Sequence, residues 1–379
     1  MDIEKTTIAL DARTIFSKHR RGTGKNLIDL YKKIMAIKPK WNLIFCGTRE
    51  IYFNPFADDN QVEVIRLTSK GHRFQIWRDY LFPLTAFYKR ANVLHAPANI
   101  GPRWPLVPMV ATIHDLIPLQ QNLRTPASEK WGALVKRTAQ RARKILTPSR
   151  YSKNEIIKFC NVPEEKITVN PWAPDSKCKY ISDPNLIEHT LKKYNISGDT
   201  PYVFGFGAED PRKNTERILK AWSLLPKSIQ KENALLLVGI QDEALKKFRT
   251  LTKELDIDRS CHLHGFAPEE DIPPLLSGAK VLVFPSLSEG FGLPILDAFT
   301  CHAAVLTSNV TSLPEVAGDA AILVDPFKEG EIRDGLVHLL SNERARMGLV
   351  EKGLERVKMY TWDACANRVI KVFEEVAST

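Results

Sequence analysis

The sequence predicts an α/β fold built as two doubly wound, parallel-sheet domains. Three observations carry this reading. Short runs rich in Val, Ile and Leu alternate with longer amphipathic stretches, the pattern of βα units. The chain has 379 residues, too many for one ordinary core and suited to about two domains. The alternation breaks once, at NPWAPDSKCKYISDPNLIEH (170–189), which is polar, proline-bearing and without period, so that six runs precede it and six follow. A single barrel would show no such break, and no short repeat suggests a solenoid.

In chain order, first-half strands are expected at TTIALDA, WNLIFCG, VEVIRL, NVLHAP, PMVATIH and KILTPS. Second-half strands are expected at PYVFGFG, NALLLVG, CHLHGF, KVLVFPS, AVLTSN and AAILVD. Helical periodicity covers Asn26 to Ile37, Trp131 to Arg143, Thr215 to Leu225 and Asp242 to Leu255. In the tail, Trp362, Cys365, Val369, Phe373 and Val376 form one helical stripe behind Thr361, a suitable N-cap. No strand separates this helix from the preceding helical segment, so it is expected to pack outside one domain or reach back to the first. The expected domains are 1–180 and 181–360, with the helix at 361–379.

Composition places the chain among globular proteins, with 26% charged and 44% hydrophobic residues. No stretch approaches the roughly 18 apolar residues of a membrane span. MDIEKTTIALDARTIF carries early acids and enters strand-like alternation at once, which argues against a cleaved signal. The six cysteines stand singly, without CxxC or metal spacing, as suits reduced thiols in a cytoplasmic protein. Charge is unevenly shared: residues 1–185 hold 31 Lys and Arg against 16 Asp and Glu, the remainder 23 against 28. The basic half suits an anionic partner, such as lipid head groups, a phosphorylated substrate or nucleic acid, or is simply a solvated surface.

Chemistry gathers in the loops. In FPSLSEGFGLPILDAF an apolar strand, Val281 to Phe284, leads into Gly290-Phe291-Gly292 and a helix with Pro294 as its first residue. Strand, glycine loop and helix start turn backbone N–H groups outward, a site for phosphate. Glu289 and Asp297 would repel a phosphate but accept hydrogen bonds from hydroxyls. A phosphate between two hydroxyl-rich rings satisfies both, and a nucleotide-sugar has that form. A tight turn before an acidic helix is the plainer alternative. After PYVFGFG, ending at Gly207, Arg212 and Lys213 could neutralise a departing diphosphate, or be solvated. Gly22-Thr23-Gly24 precede a helix; the stretch fails as a Walker loop but suits close approach of a backbone to a ligand. His114-Asp115 directly follow an apolar strand, at the edge where doubly wound sheets bind ligands. Asp256-Ile257-Asp258 closes a helix and reads as a solvated turn, so no metal is expected. Ser312 and Glu315 have capping-box spacing.

Together, GTGKN, VLHAPAN, ATIHDLIPL, ILTPSRYSKNEI, GAEDPRKN, LHGF, FPSLSEGFGLPILDAF and SNVTSLPEVAGDAAILVDP resemble the retaining glycosyltransferases of family four. The likeness spans nearly the whole chain. It implies the GT-B fold: two Rossmann-like domains facing across a cleft, donor bound mainly by the second, acceptor mainly by the first. It further implies that Glu289 contacts the transferred sugar and Asp297, one methylene shorter than the usual glutamate, the ribose. Gly290, Phe291, Gly292 and Leu293 would line sugar or phosphate, and Lys213 would hold the diphosphate. Ala208 follows Gly207 where the family commonly has arginine, a place Arg212 would fill. His114 would line the sugar pocket, Gly22, Thr23 and Gly24 the diphosphate, Gly265 and Phe266 the base. His302 stands where a glycine is usual.

The expected activity is therefore metal-independent, retaining hexosyl transfer from a UDP- or GDP-linked sugar to a glycan or lipid-linked hydroxyl, in polysaccharide biosynthesis. No separate cofactor is expected. No settled nucleophile appears for double displacement, which favours attack from the leaving-group side, with lobe closure excluding water. A GT-B epimerase and a silent nucleotide-sugar binder are the alternatives; no nucleic-acid module is recognised. HRFQIWRDYLFPLTAFYKR sets Phe74, Trp77, Leu81, Leu84 and Tyr88 at near-helical spacing, with Arg73, Arg78, Lys89 and Arg90 around them. It reads as a peripheral contact with an inner membrane face or as a core helix with a charged rim, interrupted by Pro83.

Overall fold

The computed structural model describes residues 5–18, 22–68, 74–120 and 125–378. The chain divides into two compact units, Met1–Trp172 with Thr361–Thr379, and Ala173–Tyr360.

The first unit is built on seven strands: β1 (Thr7–Asp11), β2 (Asn42–Gly47), β3 (Val62–Arg66), β4 (Val93–Ala96), β5 (Met109–Thr112), β6 (Lys144–Thr147) and β7 (Ile167–Val169). They pair in parallel in the order β3-β2-β1-β4-β5-β6-β7. Strands β4 and β5 are buried along their whole length, because helices cover both faces of a parallel sheet. All six strands expected here form, and β7 adds a short edge. The tail helix Trp362–Ala377 belongs to this unit and packs on the helix Gly22–Ile37. Thr361 caps it by accepting from the Ala364 N–H, and Cys365, Val369, Phe373 and Val376 are buried. Lys33–Asp363 and Lys38–Glu374 pairs, at 3.0 and 2.5 Å, flank that packing.

The segment after β3 is helical as Phe74–Ile76, Trp77–Leu81 and Phe82–Tyr88, with a π-turn in the middle piece. Pro83 lacks an N–H and would crowd the carbonyl four residues back; the wider turn before it accommodates the ring. The expected apolar stripe divides in two. Trp77, Phe82 and Ala86 enter the core, while Tyr80, Leu84, Phe87 and Tyr88 are exposed. Arg78, expected on the charged rim, is buried against Asp79; Arg73 lies outside the described residues.

The second unit has six parallel strands: β8 (Tyr202–Phe206), β9 (Ala234–Val238), β10 (Cys261–Leu263), β11 (Val281–Phe284), β12 (Ala304–Ser308) and β13 (Ala321–Val324). Their order is β10-β9-β8-β11-β12-β13. The direction of winding reverses between β8 and β11, so a crevice opens at their carboxyl ends, where ligands bind in such sheets. Val203, Trp222, Leu235, Leu237, Val281 and Val283 fix the core below it. The entering segment is strapped to the far end of the helix Leu293–Thr300. Tyr180 stacks on His302 with centroids 4.0 Å apart, and the Ile181 N–H donates to Ser277 Oγ at 3.0 Å. His302 holds a left-handed φ of 62°, which accounts for the glycine that the family has there.

Candidate functional site

The site is assembled by two loops of the second unit at the β8/β11 switch point. After β8 the chain makes a 3-10 turn, Pro211–Lys213, capped by Asp210, which accepts from the Arg212 N–H. Asn214 ends the turn at φ 60° and is buried. Its side-chain amide donates to the carbonyls of Pro285 and Pro326, at 2.9 and 2.7 Å, which fixes the turn against the loops after β11 and β13. The Leu287 N–H donates to the Arg212 carbonyl at 2.8 Å.

Across this junction Lys213 Nζ meets Glu289 Oε1 at 2.7 Å. The ammonium also lies 5.1 Å from the centroid of the Phe284 ring, a cation–π contact. The Lys213 and Glu289 side chains are 26% and 15% exposed, so the pair is sheltered yet reachable. The Arg212 guanidinium folds onto Asp210, closest at 2.7 Å, and reaches the Ser288 carbonyl at 3.4 Å. Its charge and backbone thereby steady the loop that carries Glu289. The same pairing draws the Asp210 carboxyl below its usual range, against the opposing effect of burial.

The glycine loop is held from behind. Fully buried Ser312 donates from Oγ to the carbonyls of both Glu289 and Phe291, each at 2.8 Å. The Glu289 N–H donates to Thr311 Oγ1 at 3.2 Å, with Thr311 at φ 58°. Ser312 precedes the helix Leu313–Ala317, but its side chain makes no capping bond to it. The expected capping box is therefore replaced by a longer-range role, because the hydroxyl is spent on two site carbonyls. Gly292 has φ +122°, and an added Cβ would lie 2.8 Å from Leu313 Cδ2. The helix Leu293–Thr300 starts directly after it, with Pro294 one residue later than expected. Phe291 is buried edge-on against Tyr360.

The remaining expected positions lie as follows. The Asp297 carboxylate accepts from the Asp175 N–H at 3.0 Å, so it also anchors the entering segment. The Gly207 N–H donates to the Val238 carbonyl at 2.8 Å, and a Cβ there would strike Ile240 at 2.6 Å. The Gly265 carbonyl accepts from the Gly239 N–H at 2.7 Å, and Phe266 is 85% exposed. Ala208, where the family has arginine, exchanges two hydrogen bonds with Thr215 Oγ1 at 2.9 and 3.0 Å. Asp256 sits in an exposed turn at φ 52°, 3.3 Å from Lys227. Among the described residues no group of three His, Cys, Asp or Glu side chains could hold a metal ion.

Two predicted elements belong to the first unit. Gly22, Thr23 and Gly24 form the first turn of the helix Gly22–Ile37, where the sequence suggested a loop before it. A Cβ at Gly24 would sit 2.3 Å from the Thr14 carbonyl oxygen, so this glycine serves a close backbone approach. His114 follows β5 and stacks on Trp172, centroids 5.9 Å apart. Its Nε2 lies 2.7 Å from the Pro97 carbonyl, which can only accept, so Nε2 carries the proton. Burial lowers its pKa, against the opposing pull of Pro97 and Asp115, and the neutral ring keeps Nδ1 as an acceptor.

Sequence reasoning missed Asn214, Phe284, Thr311 and Ser312 as supports of the site. Their partners lie far along the chain, and only the positive φ of Asn214 fits a residue type that tolerates it.

Two parallel sheets of this strand order define the class. A crystal structure of WaaG, a glycosyltransferase involved in lipopolysaccharide biosynthesis, superposes with a TM-score of 0.75 at 18% identity, covering 97% of this chain and 99% of that one. Anabaena Alr3699/HepE in complex with UDP and glucose gives 0.76 at 15%, covering 98% and 100%. The fold is GT-B. Residues 50–175 match the sequence model of Glycosyltransferase Family 4, and residues 187–356 that of Glycosyl transferases group 1. With both halves matched, the chain belongs to the family-four, group 1 glycosyltransferases. Among curated relatives, O-antigen chain mannosyltransferase B of Escherichia coli is 34% identical over 62% of this chain and 61% of its own length. The serotype-specific mannosyltransferase WbdA of the same species is 30% identical over 70% of this chain, but the match spans only 33% of WbdA. The likeness thus covers less than two thirds of either relative. Among the described residues no helix is long and apolar enough to cross a membrane.

Proposed function

We propose that this chain transfers a hexosyl group from a nucleotide-diphosphate-sugar to a hydroxyl of a glycan or lipid-linked acceptor, in building a cell-surface polysaccharide at the cytoplasmic side. The observation that carries the reading is the Lys213–Glu289 pair at 2.7 Å, at a sheet's switch point and beside the Gly292 helix start. A cation, outward amides and a carboxylate side by side suit a diphosphate joined to a sugar. Relatives named as mannosyltransferases make a mannosyl donor the first to test. Structural neighbours in complex with UDP and with UDP-glucose support a nucleotide-diphosphate donor.

In the proposed reaction the bond between the anomeric carbon and the diphosphate oxygen breaks with oxocarbenium character. Negative charge gathers on the departing diphosphate, and Lys213 with the loop amides stabilises it without a metal. Glu289, released from Lys213 by the donor's phosphates, accepts from a hydroxyl of the transferred sugar. The acceptor hydroxyl attacks from the side the diphosphate leaves, giving its proton to the phosphate and retaining configuration.

A thermal-shift screen against UDP- and GDP-sugars, with and without chelator, tests donor binding. One nucleotide-sugar should raise the melting temperature equally in both buffers. NMR of the product's anomeric centre then tests retention; an inverted product would refute the mechanism, and hydrolysis-free epimerisation would reassign the enzyme.

A further inference from the structure

The amino ends of the second unit's strands, opposite the Lys213–Glu289 loops, frame a cavity of about 540 Å³. That is within the range of about 300 to 1,000 Å³ usual for small-molecule sites. Ala234, the first residue of β9, and His262 of β10 stand in its wall. Asn195 and His262 also line a second hollow of about 330 Å³ beside the edge strand β10, so the two adjoin. Positive charge gathers here against the trend of the chain, since residues 186–379 hold 23 Lys and Arg against 28 Asp and Glu. Lys227, Lys231 and Arg259 line the first hollow beside a single carboxylate, Asp256. Arg249 and Lys253 line the second beside Asp258. Five cations thus face two carboxylates. Lys227 meets Asp256, Nζ to Oδ2, at 3.3 Å. Among the described residues no salt bridge joins Lys231, Lys253 or Arg259 to a carboxylate, and all three side chains are exposed.

The floor of the cavity is polar and fixed. Gln230 and Asn233 line it and are buried. The Gln230 amide nitrogen donates to the carbonyls of Trp222, Ser223 and Leu225, at 3.2, 3.1 and 2.9 Å. The Asn233 amide nitrogen donates to the Ile229 carbonyl at 2.9 Å. Their donors are spent, but each amide keeps an oxygen that can accept. Lys227 and Lys280 reach those oxygens only at 3.4 and 3.5 Å. Burial, ahead of the charge of His264, lowers the His262 pKa, so a neutral ring adds one donor and one acceptor. Acceptors on the floor suit hydroxyls, and cations at the mouth suit a phosphate. Inorganic phosphate would meet the cations but set its own charge against the floor oxygens. A sugar phosphate satisfies both, with its ring inward and its phosphate outward.

We propose that this cavity binds a hexose phosphate, with Lys231 and Arg259 holding the phosphate and Gln230 and Asn233 accepting from ring hydroxyls. It is a second ligand site in the unit, at the opposite end of the sheet from the donor loops. This does not rest on the transfer reaction.

The test is calorimetric titration of the full chain with mannose 6-phosphate and with glucose 6-phosphate, beside mannose and inorganic phosphate. At least one hexose phosphate should bind saturably, about ten-fold or more tighter than inorganic phosphate, the worth of one or two hydroxyl hydrogen bonds. Mannose alone should give no signal. K231Q and R259Q should each weaken binding about ten-fold, the loss of one charge-assisted bond. Both side chains are exposed and outside any salt bridge, so the two variants should keep the parent's urea midpoint. K213A should bind the hexose phosphate like the parent chain, so failure of the donor chemistry and failure of this site are separable. Absence of binding by both hexose phosphates, or unchanged affinity in K231Q and R259Q, overturns the proposal. So does equal affinity for inorganic phosphate, which would make the cavity a plain anion site. Loss of binding in K213A with none in K231Q or R259Q overturns it too, by placing the ligand at the donor loops.

Discussion

Lys213 Nζ lies 2.7 Å from Glu289 Oε1, although 76 positions separate the two residues in the chain. They meet because β8 and β11 are neighbours in the sheet and the chain's winding reverses between them. Each partner shields the other's charge, and in the proposed reaction each would become available when an anion and a hydroxyl arrive together. A nucleotide-sugar brings both.

Replacing Lys213 with Ala should therefore lower turnover more than donor affinity. A donor lost only from the ground state would change binding; a cation facing the leaving diphosphate acts chiefly as charge develops. Turnover should fall about 10² to 10³-fold, the scale for one preorganised group, with the dissociation constant rising less than about ten-fold. Calorimetric donor titration beside steady-state rates reads both, and an effect on affinity alone would mean that Lys213 only binds.

Ser312→Ala should loosen the site without touching substrate. The hydroxyl is fully buried and satisfies the carbonyls of Glu289 and Phe291 at once. Leaving buried acceptors unpaired costs about 1 to 3 kcal/mol. A lower urea midpoint is expected, with a raised donor KM as the Glu289 loop shifts. If stability falls while KM stays fixed, the loop is held by other bonds.

The strands were legible because each is a short apolar run. β7 was not, since Ile167–Val169 is three residues long and follows a 3-10 turn. Glu289, Lys213 and Gly292 were legible because local spacing places them at strand exits. Ser312 was misread for the opposite reason: its spacing fits a local cap, while its partners are 21 and 23 residues away. Pro83 argued against a continuous helix from 74 to 88, yet a π-turn absorbs it. The glycines at 22 and 24 suggested a loop, but close contact with Thr14, which no pattern announces, keeps Gly24 inside a helix.

Gly292→Ala should be costly for two separable reasons. Its φ of +122° is one that side chains rarely adopt, and the new methyl would lie 2.8 Å from Leu313 Cδ2. Together these should remove at least about 2 kcal/mol of stability. Adding Leu313→Ala relieves the contact but not the backbone strain, and itself opens a cavity in the core. Calorimetry on the two single variants and the double variant should therefore show non-additive losses, with the double variant less unstable than the sum. Strict additivity would mean that the contact with Leu313 is relieved by other movements.

His95, within the first unit, should make the protein acid-sensitive. It is fully buried between Tyr31 and Thr112, with Nδ1 2.8 Å from the Tyr31 hydroxyl and Nε2 2.9 Å from Thr112 Oγ1. Burial first, and then the charge of His114, push its pKa down to about 3. Because that folded value lies below the unfolded value near 6.5, the unfolded chain takes up the proton more readily. The stabilisation is fully present above pH 6.5 and is lost as pH falls from there toward the folded value. Within that window the slope approaches about 1.4 kcal/mol per pH unit. His114, whose pKa burial also lowers, adds loss in the same direction. His95→Gln keeps a hydrogen-bonding side chain without the titration, so its urea midpoint should fall less steeply between pH 7 and pH 4. Parallel falls in the two proteins would place the acid sensitivity elsewhere, with carboxylates whose pKa is lowered in the fold, such as Asp79.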